Sequence, residues 1–138
     1  MITPAPATAH KIVMLVDDNE IDNYINEKII KGSCFSDIVY VNTSSTSAIE
    51  FLRNLSFNKE LRKDHLPSVL FLDINMPILD GFQFLEEFEK LDEDIKSFVK
   101  VAILTSSIDP ADLERSHKYG AVCRFLNKPL TEESLKTL

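Results

Sequence analysis

The chain has 138 residues, which fits one domain built on one core. It is 44% hydrophobic and 27% charged, the make-up of an ordinary folded protein rather than a disordered one. A net charge of −7 argues against nonspecific nucleic-acid binding and against an anionic membrane surface, since both are served by a basic patch. No apolar stretch approaches the roughly 20 residues of a membrane-spanning helix.

Met1 to His10 is rich in Ala, Thr and Pro and lacks the basic and apolar regions of a signal peptide. It reads as a disordered tail over residues 1–10, with residues 11–138 as the domain. Cys34 and Cys123 lie far apart and form no metal-type pair, so free thiols in a reducing cytoplasm are expected. No targeting signal is visible, and cytoplasmic is the default location.

Lys11 to Val16 is a short apolar run that reads as a strand and ends at Asp17-Asp18-Asn19-Glu20. Asn19 is a candidate N-cap, with Glu20 in the first turn where the helix dipole favours negative charge. Ile21, Tyr24, Ile25 and Ile29 recur at helical spacing and predict a first helix to about Lys31, stopped by Gly32. Asp37 to Val41 is β-branched and aromatic and predicts strand two. Asn42 to Ser47 suits a loop ending in a cap, and Ala48, Ile49, Phe51, Leu52 and Leu55 predict a second amphipathic helix. Lys59 to His65 reads as either an extra turn of that helix or a surface loop.

Val69-Leu70-Phe71-Leu72 runs straight into Asp73. Four consecutive apolar residues predict a strand buried on both faces, so Asp73 falls at the carboxyl end of a central strand. The turn that follows carries Pro77 and Gly81. Phe84, Leu85, Phe88 and Leu91 predict a third helix, with Glu86, Glu87 and Glu89 on its outer face, and Asp92 to Ser97 reads as a polar loop. Val99 to Leu104 is strand four, terminating at Thr105-Ser106-Ser107. Asp109-Pro110 opens a polar fourth helix, with Asp as N-cap and Pro at the first helical position. Leu113 is its clearest apolar anchor, helped by Ala111 and Tyr119, and Gly120 ends it. Val122 to Leu126 is strand five, followed by Asn127-Lys128-Pro129, and Thr131-Glu132-Glu133 begins a short fifth helix. Strands alternating with helices imply parallel βαβ units with right-handed crossovers, an α/β fold.

Polar residues of complementary type therefore collect on one edge of the sheet: Asp17 and Asp18, Asp73, Thr105 and Lys128. Each alone is ordinary: an acidic pair is a cap and turn, a strand-end Thr bonds backbone, a lone Lys is surface. Together they are a site. Three carboxylates repel unless a cation sits among them. Mg²⁺ is the natural one, because it takes hard oxygen ligands and shares substrate phosphate. With the Lys128 ammonium and the Thr105 hydroxyl, the set suits a phosphoryl group, and a carboxylate is a competent nucleophile toward phosphorus.

Leu15-Val16-Asp17-Asp18-Asn19, Leu72-Asp73-Ile74-Asn75-Met76-Pro77 with Asp80-Gly81, Leu104-Thr105-Ser106 and Asn127-Lys128-Pro129 form a specific set. From about Lys11 to Leu138 the sequence resembles the response-regulator receiver domain of two-component signalling. The resemblance implies a flavodoxin-like (βα)5 three-layer sandwich with a parallel sheet of order 2-1-3-4-5. It implies that Asp73 accepts a phosphoryl group from a histidine kinase or histidine phosphotransfer protein. Asp18, Asp73 and the Asn75 backbone carbonyl would ligate Mg²⁺, with Asp17 acting through a metal-bound water. Lys128 would contact the phosphoryl group, Thr105 would move toward it, and Phe125 would be the aromatic switch. The fourth helix, fifth strand and fifth helix would form the output face toward a downstream protein effector or a second copy of the chain. The resemblance further implies no DNA or membrane contact and no enzymatic activity beyond self-phosphotransfer and slow autodephosphorylation.

Ser106 stands where Ala or Gly is frequent in the family, and it is still small. The stretch Ser56 to Pro67 is longer than in the shortest members and resembles small stand-alone regulators paired with phytochrome-type kinases. Two other readings compete. A haloacid-dehalogenase-like phosphatase also uses a strand-end Asp and Mg²⁺, but needs an acid where Asn75 stands, and an amide cannot exchange a proton at neutral pH. A degenerate receiver that never takes phosphate is opposed by the completeness of the set.

Overall fold

The computed structural model describes residues 9–76, 78–106 and 108–138. The tail expected over residues 1–10 therefore falls, up to Thr8, outside the described residues, as do Pro77 and Ser107. The strands are β1 (His10–Val16), β2 (Ser36–Asn42), β3 (Val69–Leu72), β4 (Lys100–Thr105) and β5 (Val122–Asn127). The helices are α1 (Glu20–Gly32), α2 (Ser45–Phe57), α3 (Lys59–His65), α4 (Gly81–Phe88), α5 (Glu93–Phe98), α6 (Pro110–Ser116) and α7 (Glu132–Leu135).

All pairings are parallel and the sheet order is β2-β1-β3-β4-β5, the order expected. Side chains alternate across the strands. Met14, Val16, Leu70, Leu72, Val101 and Ile103 face a core completed by α2, α4 and Ile95 of α5. Val13, Leu15, Val69, Phe71, Ala102 and Leu104 face a second core completed by Ile30 of α1 and Leu135 of α7. Both faces are covered, which explains the unbroken apolar runs in β1, β3 and β4 and gives the three layers of a flavodoxin-like sandwich. Among the described residues, no helix is long and apolar enough to cross a membrane.

Four expectations need correction. Lys59–His65 is neither a loop nor a continuation of α2. It is a separate helix because Asn58 turns extended (φ −134°) and its side chain accepts from the Leu61 amide at 3.2 Å. Arg62 then reaches back to the carbonyls of Leu55 (3.2 Å) and Ser56 (2.9 Å) at the end of α2. Asp92 to Ser97 is not a polar loop: it contains most of α5, whose Ile95 is wholly buried. In α6, Leu113 is 37% exposed and is no anchor, while Ser116 is buried, its hydroxyl donating to the Leu113 carbonyl at 2.6 Å.

The fourth correction bears on the site. Of the apolar stripe of α1 only Ile29 packs against the core: Ile21 is 71% exposed, Tyr24 64% and Ile25 40%. The buried face instead carries Asn23, Asn26 and Ile30. Asn23 Nδ2 donates to the Asp17 carbonyl (2.8 Å), and Asn26 Oδ1 accepts from the Leu130 amide (2.9 Å). Backbone groups of the two loops beside α1 thus decide its rotation, since buried polar groups must be satisfied.

Candidate functional site

The sheet register assembles the site. Val16 pairs with Leu72, so Asp17 and Asp73 are the next residues on neighbouring strands, and the Asp73 amide donates to the Val16 carbonyl at 2.9 Å. Thr105 pairs with Asn127, and the Lys128 amide donates to the Thr105 carbonyl at 2.7 Å. Asp17 and Asp73 are buried, Thr105 is wholly so, and Asp18 is exposed. Asp17, Asp18 and Asp73 each offer a carboxylate oxygen, and these lie within 4.8 Å of one another. The expected acids and the lysine are therefore together.

Local bonds fix the carboxylates. Asp17 Oδ1 accepts from the Asn19 amide (2.9 Å), which turns the chain into α1, where Asn19 Oδ1 caps the amides of Ile21 and Asp22 (both 3.0 Å). Asp73 Oδ1 accepts from the Asn75 amide at 2.9 Å, an Asx turn that starts the loop to α4. That loop ends at Asp80, which forms a reciprocal capping box with Gln83. Asn75 thus enters the site through its amide.

Lys128 Nζ lies 2.5 Å from Asp17 Oδ2, 3.0 Å from Asp22 Oδ2 and 3.4 Å from Asp73 Oδ2. Burial alone would lower its pKa, but Asp17, Asp22 and Asp73 outweigh burial and hold the ammonium well above the ordinary lysine range. Burial pushes the Asp17 carboxyl up, and Lys128 only partly offsets that. Carboxylates outnumber the Lys128 ammonium at the site, and burial works against the charged form of Asp17. That donor set, all hard oxygen, fits a small divalent cation. Asp22 is the site residue that sequence reasoning missed. Its signal was faint: a third acid one turn beyond the Asp17-Asp18 pair.

The family model of the response regulator receiver domain matches residues 13–138. The chain belongs to this family. As a receiver domain it is of the class of phosphorylation-dependent signalling switches. It is 27% identical over 118 residues to the response regulator Rcp1 of Synechocystis sp., covering 86% of this chain and 76% of that protein. A two-component response regulator from Cytophaga hutchinsonii superposes with a TM-score of 0.82 at 30% identity, covering 92% of each chain. Rcp1 has been solved in an Mn²⁺-bound form, which superposes with a TM-score of 0.69 at 25% identity over 91% of this chain and 87% of that one.

The expected switch residues of this receiver lie on adjoining strands. Phe125 pairs with Ile103 in register, and Thr105 lies two residues beyond Ile103 on the same face of β4. Phe125 is half-buried and packs against the core that α2 and α4 complete. It is thus level with Ile103, two residues short of Thr105 along the same face of the sheet.

Proposed function

We propose that Asp73 accepts a phosphoryl group from a histidine kinase or histidine phosphotransfer protein. The single observation that carries this is the convergence of Asp17, Asp18 and Asp73 within 4.8 Å, with Lys128 Nζ 3.4 Å from Asp73. Asp73 Oδ2 forms the new P–O bond. The P–N bond of the phosphohistidine breaks, and its electron pair returns to the imidazole. Lys128 follows the growing charge on the phosphoryl oxygens, and Thr105, at the end of β4, supplies a hydroxyl donor. Asp18, Asp73 and the Asn75 carbonyl would hold Mg²⁺, with Asp17 reaching it through water. When bound, the cation neutralises the clustered carboxylates and the phosphoryl oxygens.

The product carries about −1.5 to −2 charges on the phosphoryl group and three strong acceptor oxygens. Drawing Thr105 toward them vacates space on its face of the sheet, into which Phe125 turns. The output surface is α6 and β5, around Ile108 to Phe125, together with α7, and a protein effector or a second copy of the chain docks there. In α6 the buried residue is Ser116, so little packing resists a shift of that helix. A bias of a few kcal/mol moves such an equilibrium.

Acetyl phosphate with Mg²⁺ should label the wild type on Asp73. Asp73→Asn should fold and stay unlabelled, and Lys128→Ala should keep the metal response and lose much of the response to phosphate. Beryllofluoride should shift amide NMR signals across residues 108–125 as well as at the site. Labelling of Asp73→Asn at wild-type stoichiometry would reassign the nucleophile. Shifts confined to Asp17, Asp73 and Lys128 would remove the proposed output face.

A further inference from the structure

Asp22 lies outside the three-carboxylate cluster, yet its Oδ2 is 3.0 Å from Lys128 Nζ, closer than Asp73 at 3.4 Å. Its place on α1 explains why it is available. Asp22 is the third residue after the cap Asn19, the position whose side chain often turns back to the cap's own amide. Here Asp17 Oδ1 already accepts that amide, at 2.9 Å. The Asp22 carboxylate is thus released from capping and points to the lysine.

The rest of α1 holds both parties in place. Asn23 Nδ2 grips the Asp17 carbonyl, and Asn26 Oδ1 grips the Leu130 amide, two residues beyond Lys128. Asp22 sits on the same helix, one residue before the first of these anchors. The lysine backbone is fixed by the Leu130 bond and by its own amide on Thr105, so its free end chooses among carboxylates without the loop moving. The Lys128 side chain is 10% exposed and Asp22 33%, which places their contact at the rim of the site.

We propose that Asp22 is a positioning residue that holds Lys128 in the resting state and competes with the incoming phosphoryl group for it. The inference rests on the reading of Asp73 as phosphoacceptor. A cation held by Asp18 and Asp73, with Asp17 turned to it through water, would engage the first and last of the lysine's partners and leave Asp22. Phosphoryl capture then requires Lys128 to leave Asp22, while the Asp22 charge also repels the arriving oxygens. Both effects act in one direction: they raise the donor concentration needed.

The test is the acetyl phosphate dependence of Asp73 labelling, at saturating Mg²⁺ and low salt. In Asp22→Asn the half-saturating concentration should fall by about five-fold, the equivalent of about 1 kcal/mol for a rim ion pair, with the maximal rate little changed. Asp22→Glu, which keeps the charge, should restore most of the wild-type value. The difference should shrink at about 1 M salt, where the Debye length is near 3 Å. In metal-free protein, the ¹⁵N-coupled signals of the Lys128 ammonium should shift in Asp22→Asn and much less in Asp22→Glu. If wild type and Asp22→Asn label with the same half-saturation, or the ammonium signals coincide, the competition is refuted while the phosphoacceptor reading stands. A wild type that takes no label overturns that reading, and the proposal with it.

Discussion

A β-carbon at Gly81 would sit 2.6 Å from the Cα of Ile74 and 2.7 Å from its Cγ2. Gly81 does not have a positive φ, so space rather than backbone conformation demands glycine. The first turn of α4 presses against the residue that follows Asp73, and the Gly81 amide donates to the Ile74 carbonyl at 3.3 Å. Gly81→Ala must push backbone against backbone. It should cost about 1–3 kcal/mol in urea denaturation, the range for overpacking, and weaken the response to Mg²⁺ by displacing the Asp73 loop. Wild-type stability in Gly81→Ala would show that α4 can retreat freely.

Ile95 is wholly buried in α5, within a segment whose sequence reads as a loop. Ile95→Ala should cost about 2–5 kcal/mol, the range for truncating a buried aliphatic side chain. A loop residue would cost little. The midpoint of urea denaturation decides between them, with an unchanged slope showing that the transition itself is unaltered.

The sheet and the site were legible for one physical reason. A parallel strand covered on both faces must be apolar throughout, and the first polar residue after it falls at the carboxyl edge. Asp17 and Asp73 stand out against Val16 and Leu72 on that principle alone, whereas β5 is an edge strand interrupted by Arg124 and followed by Asn127, so Lys128 was legible only beside the acids. The helices were less legible because periodicity assumes that apolar side chains turn inward. In the first half of α1 Ile21, Tyr24 and Ile25 turn outward, since Asn23 and Asn26 have backbone partners to satisfy that those side chains cannot serve. One buried residue in α5 makes no period at all. In α3 no residue is buried, and its existence depends on the Asn58 cap and on Arg62 reaching back to α2.

His10, at the opposite end of β1 from the site, carries a pH dependence. Its Nδ1 is 2.8 Å from the Ser68 hydroxyl, and its ring lies 4.6 Å from that of Phe35. Burial, and then the Lys100 charge, hold its pKa below 6.5. A histidine lowered on folding binds fewer protons in the native state than in the unfolded one over that window. Its contribution is therefore complete above pH 6.5 and is lost as pH falls through the lowered value. Stability should drop as pH falls below the ordinary histidine range, and His10→Gln should flatten that part of the profile. A parallel profile in His10→Gln would assign the dependence to other groups.

The metal prediction follows from the carboxylate geometry. Asp17, Asp18 and Asp73 meet within 4.8 Å, with Asp17 and Asp73 buried and Asp18 exposed. A cation that binds only the folded chain stabilises it by RT ln(1 + [L]/Kd), about 2.7 kcal/mol at about 100 times Kd. The melting temperature should therefore climb with Mg²⁺ and continue to climb slowly beyond saturation, as mass action requires. Asp18→Ala should remove that climb. Because Asp18 is exposed, and the ion pairs of Lys128 run to Asp17, Asp22 and Asp73, the same variant should melt near the wild-type temperature in EDTA. The two conditions separate a lost ligand from a damaged fold. A wild type whose melting temperature ignores Mg²⁺ would show that the three carboxylates do not share a cation, and Lys128 would then be their only counterion among the described residues.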